Sequence, residues 1–211
     1  MSRGLGEQIY VDIDDVLSCT IERLIELLEV THGRRVDVED VLHFDLGKSF
    51  ELSEAEIGHF MDRAYTDVEI EAIVPVSGAA EVLSGWASQG WGVHLVTGRP
   101  PVTNAASKRW LSRHAMPHEE LHHLDKWGRP SWNETGLPAL RFQDLAQFQF
   151  AFAVEDNLDT AVRLVEQYGM RVALIDRPWN RDLEFVSPTT QDRLVRCEDW
   201  SAVSEVFAAH C

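Results

Sequence analysis

The stretch Ile9-Tyr10-Val11-Asp12-Ile13-Asp14-Asp15-Val16-Leu17 decides how the rest of the chain is read. Three apolar residues break into carboxylates, as a short strand buried on both faces does where it leaves a parallel sheet. The same form recurs along the chain. Gly92-Val93-His94-Leu95-Val96 runs into Thr97, and Leu121 to Leu124 runs into Asp125 and Lys126. Phe150-Ala151-Phe152-Ala153-Val154 runs into Glu155 and Asp156, and Val172-Ala173-Leu174-Ile175 into Asp176. Helical patterns lie between the strands. Ser77 reads as the N-cap of a helix to about Gln89 with Gly90 as its stop; Asn104 to His114 is ended by Pro117, and Asn157 to Tyr168 by Gly169. This alternation predicts right-handed βαβ units and an α/β fold, a Rossmann-like parallel sheet flanked by helices.

One interval does not alternate. From Cys19 to about Glu71 the pattern is helical, with Ile21, Leu24, Ile25 and Leu28 on one face. A second helix follows Leu52, where Ser53-Glu54-Ala55-Glu56 reads as a capping box and Leu52 with Ile57 as a hydrophobic staple. The expected organisation is a core of residues 1–17 and 75–211 with a small helical cap, 18–74, inserted after the first strand.

The 211 residues carry 19 Lys and Arg against 35 Asp and Glu, a formal charge of −16. That field excludes a binder of long nucleic acid, which needs stripes of Lys and Arg. A local cation could still draw in a small anionic substrate. No stretch approaches the roughly 20 apolar residues of a membrane span, and the segment Met1 to Gln8 has no apolar signal-peptide core. Cys19, Cys197 and Cys211 are scattered and odd in number, which fits a reducing compartment better than a disulfide framework. The expectation is a cytoplasmic protein whose partner is a small phosphorylated molecule, with neither membrane nor long nucleic acid, and with a homodimer left open.

In open α/β sheets, ligands bind beyond the carboxyl ends of the strands. Those ends carry Asp12 and Asp14, Thr97, Lys126, Glu155 and Asp156, and Asp176, all expected to converge on one crevice. Asp12 and Asp14 alternate, so they share a face only once the chain turns out of the strand after Ile13. A carboxylate beside a magnesium ion can attack phosphorus to give an aspartyl-phosphate. A second carboxylate two residues on can protonate the leaving oxygen and later deprotonate water. Magnesium takes hard oxygen ligands with few carboxylates, and Asp156 would complete its shell. Thr97, the Gly98 amide and Lys126 would hold phosphate oxygens as charge builds on them. Lys126 is the best placed of three lysines, since Lys108 falls mid-helix and Lys48 lies in the cap. Taken alone, Asp-x-Asp is more often a strand end followed by a solvated turn than a catalytic pair.

Together, Val11 to Leu17, Leu95-Val96-Thr97-Gly98-Arg99, Lys126 and Val154-Glu155-Asp156-Asn157 resemble the four motifs of the haloacid dehalogenase-like phosphohydrolases. Their order and spacing match, and the helical insert stands where that superfamily's C1-capped members have theirs. Pro75 to Pro100 and Ile175-Asp176-Arg177-Pro178-Trp179-Asn180 resemble the 5′(3′)-deoxyribonucleotidase-like branch. The resemblance implies that Asp12 is the nucleophile and a magnesium ligand, and that Asp14 is the general acid/base with its backbone carbonyl on the metal. It implies Asp156 as the remaining protein ligand with Glu155 in support, and Thr97 and Lys126 on the transferring phosphoryl group. The implied activity is that of a magnesium-dependent phosphomonoester hydrolase, a 5′-nucleotidase or a phosphatase of another small metabolite. A degenerate, non-catalytic phosphate-binding member is the alternative.

Three features depart from the family pattern. Asp15 stands where many members have Gly, a long polar segment (Trp127 to Leu140) separates Lys126 from Glu155, and Thr97 is followed by Gly-Arg. Asp159 is an alternative carboxylate for the metal shell. Receiver domains also combine acidic residues, magnesium, Thr and Lys, but they are shorter and carry no inserted cap. His118-Glu119-Glu120-Leu121-His122 matches the zinc-protease pattern HExxH, which requires both histidines on one helical face. Pro117 before it and the strand it feeds argue against that, and His114, His118, His122 and His123 are expected to form a solvated face. Phe142, Phe148, Phe150, Phe152, Trp110 and Trp127 are expected in the core, and Phe44 or Tyr65 of the cap could stack on a nucleobase.

Overall fold

The computed structural model describes residues 7–126 and 139–211; Trp127 and most of the Trp127–Leu140 segment lie outside them, as do the first six residues. Among the described residues seven strands form one parallel sheet: β1 (Gln8–Val11), β2 (Gly92–Thr97), β3 (Glu120–Asp125), β4 (Leu140–Arg141), β5 (Phe150–Glu155), β6 (Arg171–Ile175) and β7 (Leu194–Cys197). Their order is β4-β3-β2-β1-β5-β6-β7. The strands expected from the sequence are all present. β4 and β7 were not legible, because β4 is two residues long and β7 is an edge strand interrupted by Arg196.

β1 lies at the centre. The chain runs outward on one side through β2 to β4, then crosses back to β5 on the other, so the winding reverses at β1 and leaves a crevice at the strand ends. Alternation sorts the strand residues between two faces. Ile9, Val11, Val93, Leu95, Ala173 and Ile175 point to the face covered by α5 (Ala79–Ser88), α6 (Asn104–Arg113) and the helix Trp200–His210. Tyr10, Val96, Val172 and Leu174 point to the face covered by α7 (Leu158–Tyr168). Both faces are covered, which is why these strands read as continuous apolar runs. Phe142, Phe150, Phe152 and Trp110 are core residues as expected, with Phe148 packed at the margin.

The helix termini follow the sequence with one correction. Asn157 caps α7 through Thr160 N–H and Gly169 closes it at φ +67°. Ser77, however, is not the cap of α5. Gly78 holds that position at φ +81°, packed against Trp200, and the helix starts one residue later than a Ser77 cap would set it.

Between β1 and α5 lie α1 (Thr20–His32), α2 (Leu46–Ser49), α3 (Glu54–Ala64) and α4 (Asp67–Ala72). Ile21, Leu24, Leu28, Phe50, Leu52 and Phe60 give this block an apolar cluster of its own, and Ser53 with Glu56 forms the expected capping box. Its entry and exit run side by side: Cys19 N–H donates to the Val74 carbonyl at 2.8 Å and Val76 N–H to that of Leu17 at 2.8 Å. The Trp110 indole donates to the Ile73 carbonyl at 2.7 Å, and Arg109 and Arg113 of α6 each hold Glu71 at 2.7 Å. Among the described residues no helix is long and apolar enough to cross a membrane.

Candidate active site

The chain leaves β1 in a tight turn folded over the buried Ile13, whose carbonyl accepts the N–H groups of Leu17 at 2.8 Å and Ser18 at 3.0 Å. This turn brings Asp12 and Asp14 to the same cavity, as the reading of Ile13 required. It also needs one residue at φ +57°, and Asp15 supplies it. Asp tolerates this left-handed region, which glycine enters freely. The Asp15 carboxyl does not simply add charge to a phosphate loop. Its Oδ1 accepts the Ile21 N–H at 2.9 Å, satisfying the first turn of α1 that Cys19 leaves uncapped. Burial pushes this carboxyl up to about 7, against the opposing pull of the Ile21 N–H and Arg177. Arg177 clamps the turn by donating to the Asp15 carbonyl at 3.1 and 2.6 Å.

Asp12 follows β1 directly, with its N–H still on the Val154 carbonyl of β5. Lys126, just beyond β3, reaches across β2's end and donates to Asp12 Oδ1 at 3.1 Å and to Glu155 Oε1 at 2.5 Å. Glu155 is fully buried and also accepts from the Tyr10 hydroxyl at 3.0 Å and from the N–H groups of Asp156 and Asn157 at 2.9 and 3.0 Å. Its oxygens are thus engaged by donors, which suits a supporting role. Asp12, Glu155 and Asp156 bring ligand atoms within 4.8 Å of one another. Ionised together they hold three negative charges against the single ammonium of Lys126. Burial resists that imbalance first, and the Glu155 charge adds to it, so the Asp12 and Asp156 carboxyls are pushed well above the usual range despite Lys126. For Lys126, burial is outweighed by the Asp12 and Glu155 charges, which hold its ammonium firmly protonated. A divalent cation supplies the two missing positive charges, and the oxygen donors suit magnesium. The residues present therefore fit that group.

Asp14 faces a different partner. Arg99, buried just after β2, donates to Asp14 Oδ1 from Nε at 2.9 Å and from Nη2 at 2.7 Å, and Thr20 adds a hydroxyl at 2.7 Å. Burial alone would raise this carboxyl, but Arg99 and Thr20 outweigh it and hold it below the usual range. Thr97 is fully buried; its hydroxyl donates to Asp14 Oδ2 at 3.2 Å and accepts the Arg99 N–H at 3.1 Å. Gly98 and Lys126 line the cavity with Asp12, Asp14 and Asp156. Arg99, Tyr10 and Trp179 were given no role from sequence. Arg99 was visible only as the tail of Thr-Gly-Arg, and Trp179, beyond β6, donates its indole N–H to Asp156 Oδ2 at 2.9 Å.

Other expectations are corrected. Asp176 does not join the crevice: Arg181 and Arg196 take its carboxylate at 2.9 and 2.7 Å, and these pairs hold it below the usual range against burial. The histidines do not form a solvated face. His123 is buried, donating Nδ1–H to the Arg99 carbonyl at 2.9 Å, and His114 packs on Trp110. The HExxH segment is not helical, since Glu120 and His122 lie in β3. Lys48 pairs with Asp45 at 3.8 Å. Asp159, Phe44 and Tyr65 line the same cavity of about 570 Å³ as the acidic residues.

The fold is similar to that of solved phosphatases. Among solved structures, a predicted phosphatase from Clostridium acetobutylicum aligns with a TM-score of 0.64 at 10% identity, covering 98% of this chain and 100% of its own. The D,D-heptose 1,7-bisphosphate phosphatase of B. bronchiseptica, complexed with magnesium and phosphate, aligns with a TM-score of 0.52 at 16% identity over 97% and 99% of the two chains. In sequence, a protein of Halalkalibacterium halodurans provisionally named a nucleotidase is 25% identical over 168 residues, 80% of this chain and 76% of its own. No family model matches the chain.

Proposed function

We propose that this chain is a magnesium-dependent phosphomonoester hydrolase, with residues 18–74 as its cap and a nucleoside monophosphate as its substrate. The observation that carries the reading is the buried Asp12–Glu155–Asp156 cluster at the end of β1, short of two positive charges and open to a cavity beneath the helical block. Asp12, Asp156 and the Asp14 carbonyl would hold magnesium, which when bound screens the phosphate charge. The fold's likeness to a phosphatase complexed with magnesium and phosphate supports that choice of ion.

In this reading Asp12 attacks phosphorus and the ester P–O bond breaks, while Asp14 gives its proton to the departing alkoxide. Water then attacks the aspartyl-phosphate, Asp14 takes its proton, and the bond between Asp12 and phosphorus breaks to release phosphate. Lys126 holds a phosphoryl oxygen and fixes Asp12. Glu155 anchors Lys126, and Thr97 positions Asp14. The helical block shields the transfer from bulk water.

The nucleotide assignment rests on the cavity beyond the acidic end. Leu24, Val41, Phe44, Met61, Tyr65 and Trp179 line it, with Arg23 and Glu69 beside them, a lining suited to a flat base and a polar sugar. The provisional name of the H. halodurans relative points the same way. The test is phosphate release from nucleoside and deoxynucleoside monophosphates, sugar phosphates and an aryl phosphate, with magnesium and with chelator. Magnesium-dependent release, lost in Asp12→Asn and fastest on nucleotides, is the expected result. Sugar phosphates ranking first would overturn the substrate, and no release from any substrate would overturn the activity. A second reading, a phosphate-binding member that does not turn over, is favoured by the Arg99 pair that disfavours a proton on Asp14. A stable phosphoenzyme without release would identify it.

A further inference from the structure

We propose that His94, Glu120 and His122 form a second metal site, for a transition ion of the zinc class, on the face of the sheet formed by β2 and β3. The register pairs His94 with Glu120 and Val96 with His122, and Glu120 and His122 are two residues apart, so all three side chains stand on one face. Each offers a ligand atom, and these atoms lie within 4.8 Å of one another. His94 Nδ1 and His122 Nε2 share a 3.1 Å hydrogen bond between nearly parallel rings, and His122 Nε2 is 3.3 Å from Glu120 Oε2. Tetrahedral ligands of zinc, each about 2.0–2.1 Å from the ion, stand about 3.3 Å apart. An ion that displaces the shared proton finds both spacings close to the edges of such a polyhedron, and needs the two rings to turn so that both nitrogens aim at it.

The surroundings support the same assignment. His94 is buried, and its other ring nitrogen, Nε2, has no hydrogen-bond partner. The Glu119 carboxylate lies 3.5 Å from that nitrogen. With the ion on Nδ1 the proton sits on Nε2 and faces a carboxylate, the arrangement that orients metal-bound imidazoles. Phe148 and Phe150 back the two rings, with Phe148 centred 5.4 Å from His94 and 4.7 Å from His122, while the Glu119 and Glu120 side chains are 61% exposed and leave a path from solvent. Two imidazoles and one carboxylate select zinc, nickel or copper over magnesium and calcium. None of the three residues lines the catalytic cavity, and Thr97 is three residues, about 10 Å, further along β2 than His94. The ion would tie β2 to β3 and leave one coordination position open.

The test uses the untagged full chain in excess magnesium, which saturates the acidic cluster, titrated with zinc against a chromogenic chelator, with cobalt(II) absorption as a second readout. Wild type and Asp12→Asn are expected to bind one zinc with equal affinity. Glu120→Gln and His122→Gln are expected to weaken it by at least 10-fold and to lose the cobalt spectrum. Glu120 is exposed, so its variant keeps the test valid if His122→Gln fails to fold. No zinc bound in magnesium, equal affinity in the two variants and wild type, or loss in Asp12→Asn alone would each overturn the proposal.

Discussion

Replacing Lys126 by Met removes the cation that the buried acidic cluster depends on while keeping most of the side-chain volume. The ammonium contacts Asp12 at 3.1 Å and Glu155 at 2.5 Å, with all three groups buried. Removing one partner of a buried ion pair costs about 3–5 kcal/mol, because the other charge is left uncompensated. For a chain of this size 1 kcal/mol moves Tm by about 2–4 °C, so Lys126→Met should melt about 10 °C lower in chelator at pH 8. The loss should shrink toward pH 5. Asp12 and Asp156 titrate above their unfolded values, so folding takes up protons and stability falls as pH rises through the folded pKa values. Magnesium at 100 times its Kd adds about 2.7 kcal/mol through binding alone, and should restore more in the variant than in wild type. Thermal melts at both pH values, with magnesium and with chelator, read all of this. A variant that melts within about 2 °C of wild type in chelator at pH 8 would refute Lys126 as the counter-charge of the cluster.

Asp15→Asn keeps an acceptor for the Ile21 N–H and tolerates the left-handed backbone, but removes a carboxyl whose pKa is raised to about 7. Wild-type stability should fall between about pH 4 and 7 as that group ionises, so the variant should gain roughly 1–3 kcal/mol at pH 8 and nothing at pH 4; an equal difference at both pH values in urea melts would count against it. Asp176 is held below its ordinary value by Arg181 and Arg196, so its contribution exists above the unfolded pKa and vanishes as pH falls through the folded one. Asp176→Asn should therefore cost about 1 kcal/mol at pH 7 and nothing near pH 2; a cost that persists in acid melts would sink the assignment. Trp179→Phe removes the indole donor to Asp156 and should weaken magnesium about 10-fold by calorimetry, whereas unchanged affinity would show that the bond does not orient the carboxylate.

The sheet was legible because its strands are short, covered on both faces and end in polar groups, as β1, β2, β5 and β6 all do. β4 and β7 lie at the sheet edges and bury too little to leave an apolar run. At the site, Asp12, Lys126, Glu155 and Asp156 could be placed from strand ends alone, since topology brings those ends together. What the strand ends cannot specify is which way a side chain turns once it gets there. Asp176 stands at the end of β6 like the others, but Arg181 and Arg196 draw it into ion pairs. Thr97 ends β2 as expected, but it is fully buried behind the cavity that Gly98 and Arg99 line, and its hydroxyl goes to Asp14 and to the Arg99 amide.

Charge compensation explains most of these differences. Asp14, Asp176 and the Asp12–Glu155 pair have each found a basic partner, in Arg99, Arg181 with Arg196, and Lys126 respectively. Among the described residues, the Asp156 side chain accepts from the Trp179 indole alone and that of Asp15 from the Ile21 amide alone. Those two buried carboxyls are pushed upward, as is Asp12, which is buried beside Glu155 and shares Lys126 with it, whereas Asp14 and Asp176 are drawn down. Asp15 is a local turn and capping device, for which partial protonation suffices. Asp156 shares its cluster with Asp12 and Glu155, where the remaining negative charge is concentrated. On the proposed reading, a chain of net charge −16 would draw a small anion not through its overall field but through this cluster, where among the described residues three buried carboxylates share one lysine and a bound cation would reverse the local sign.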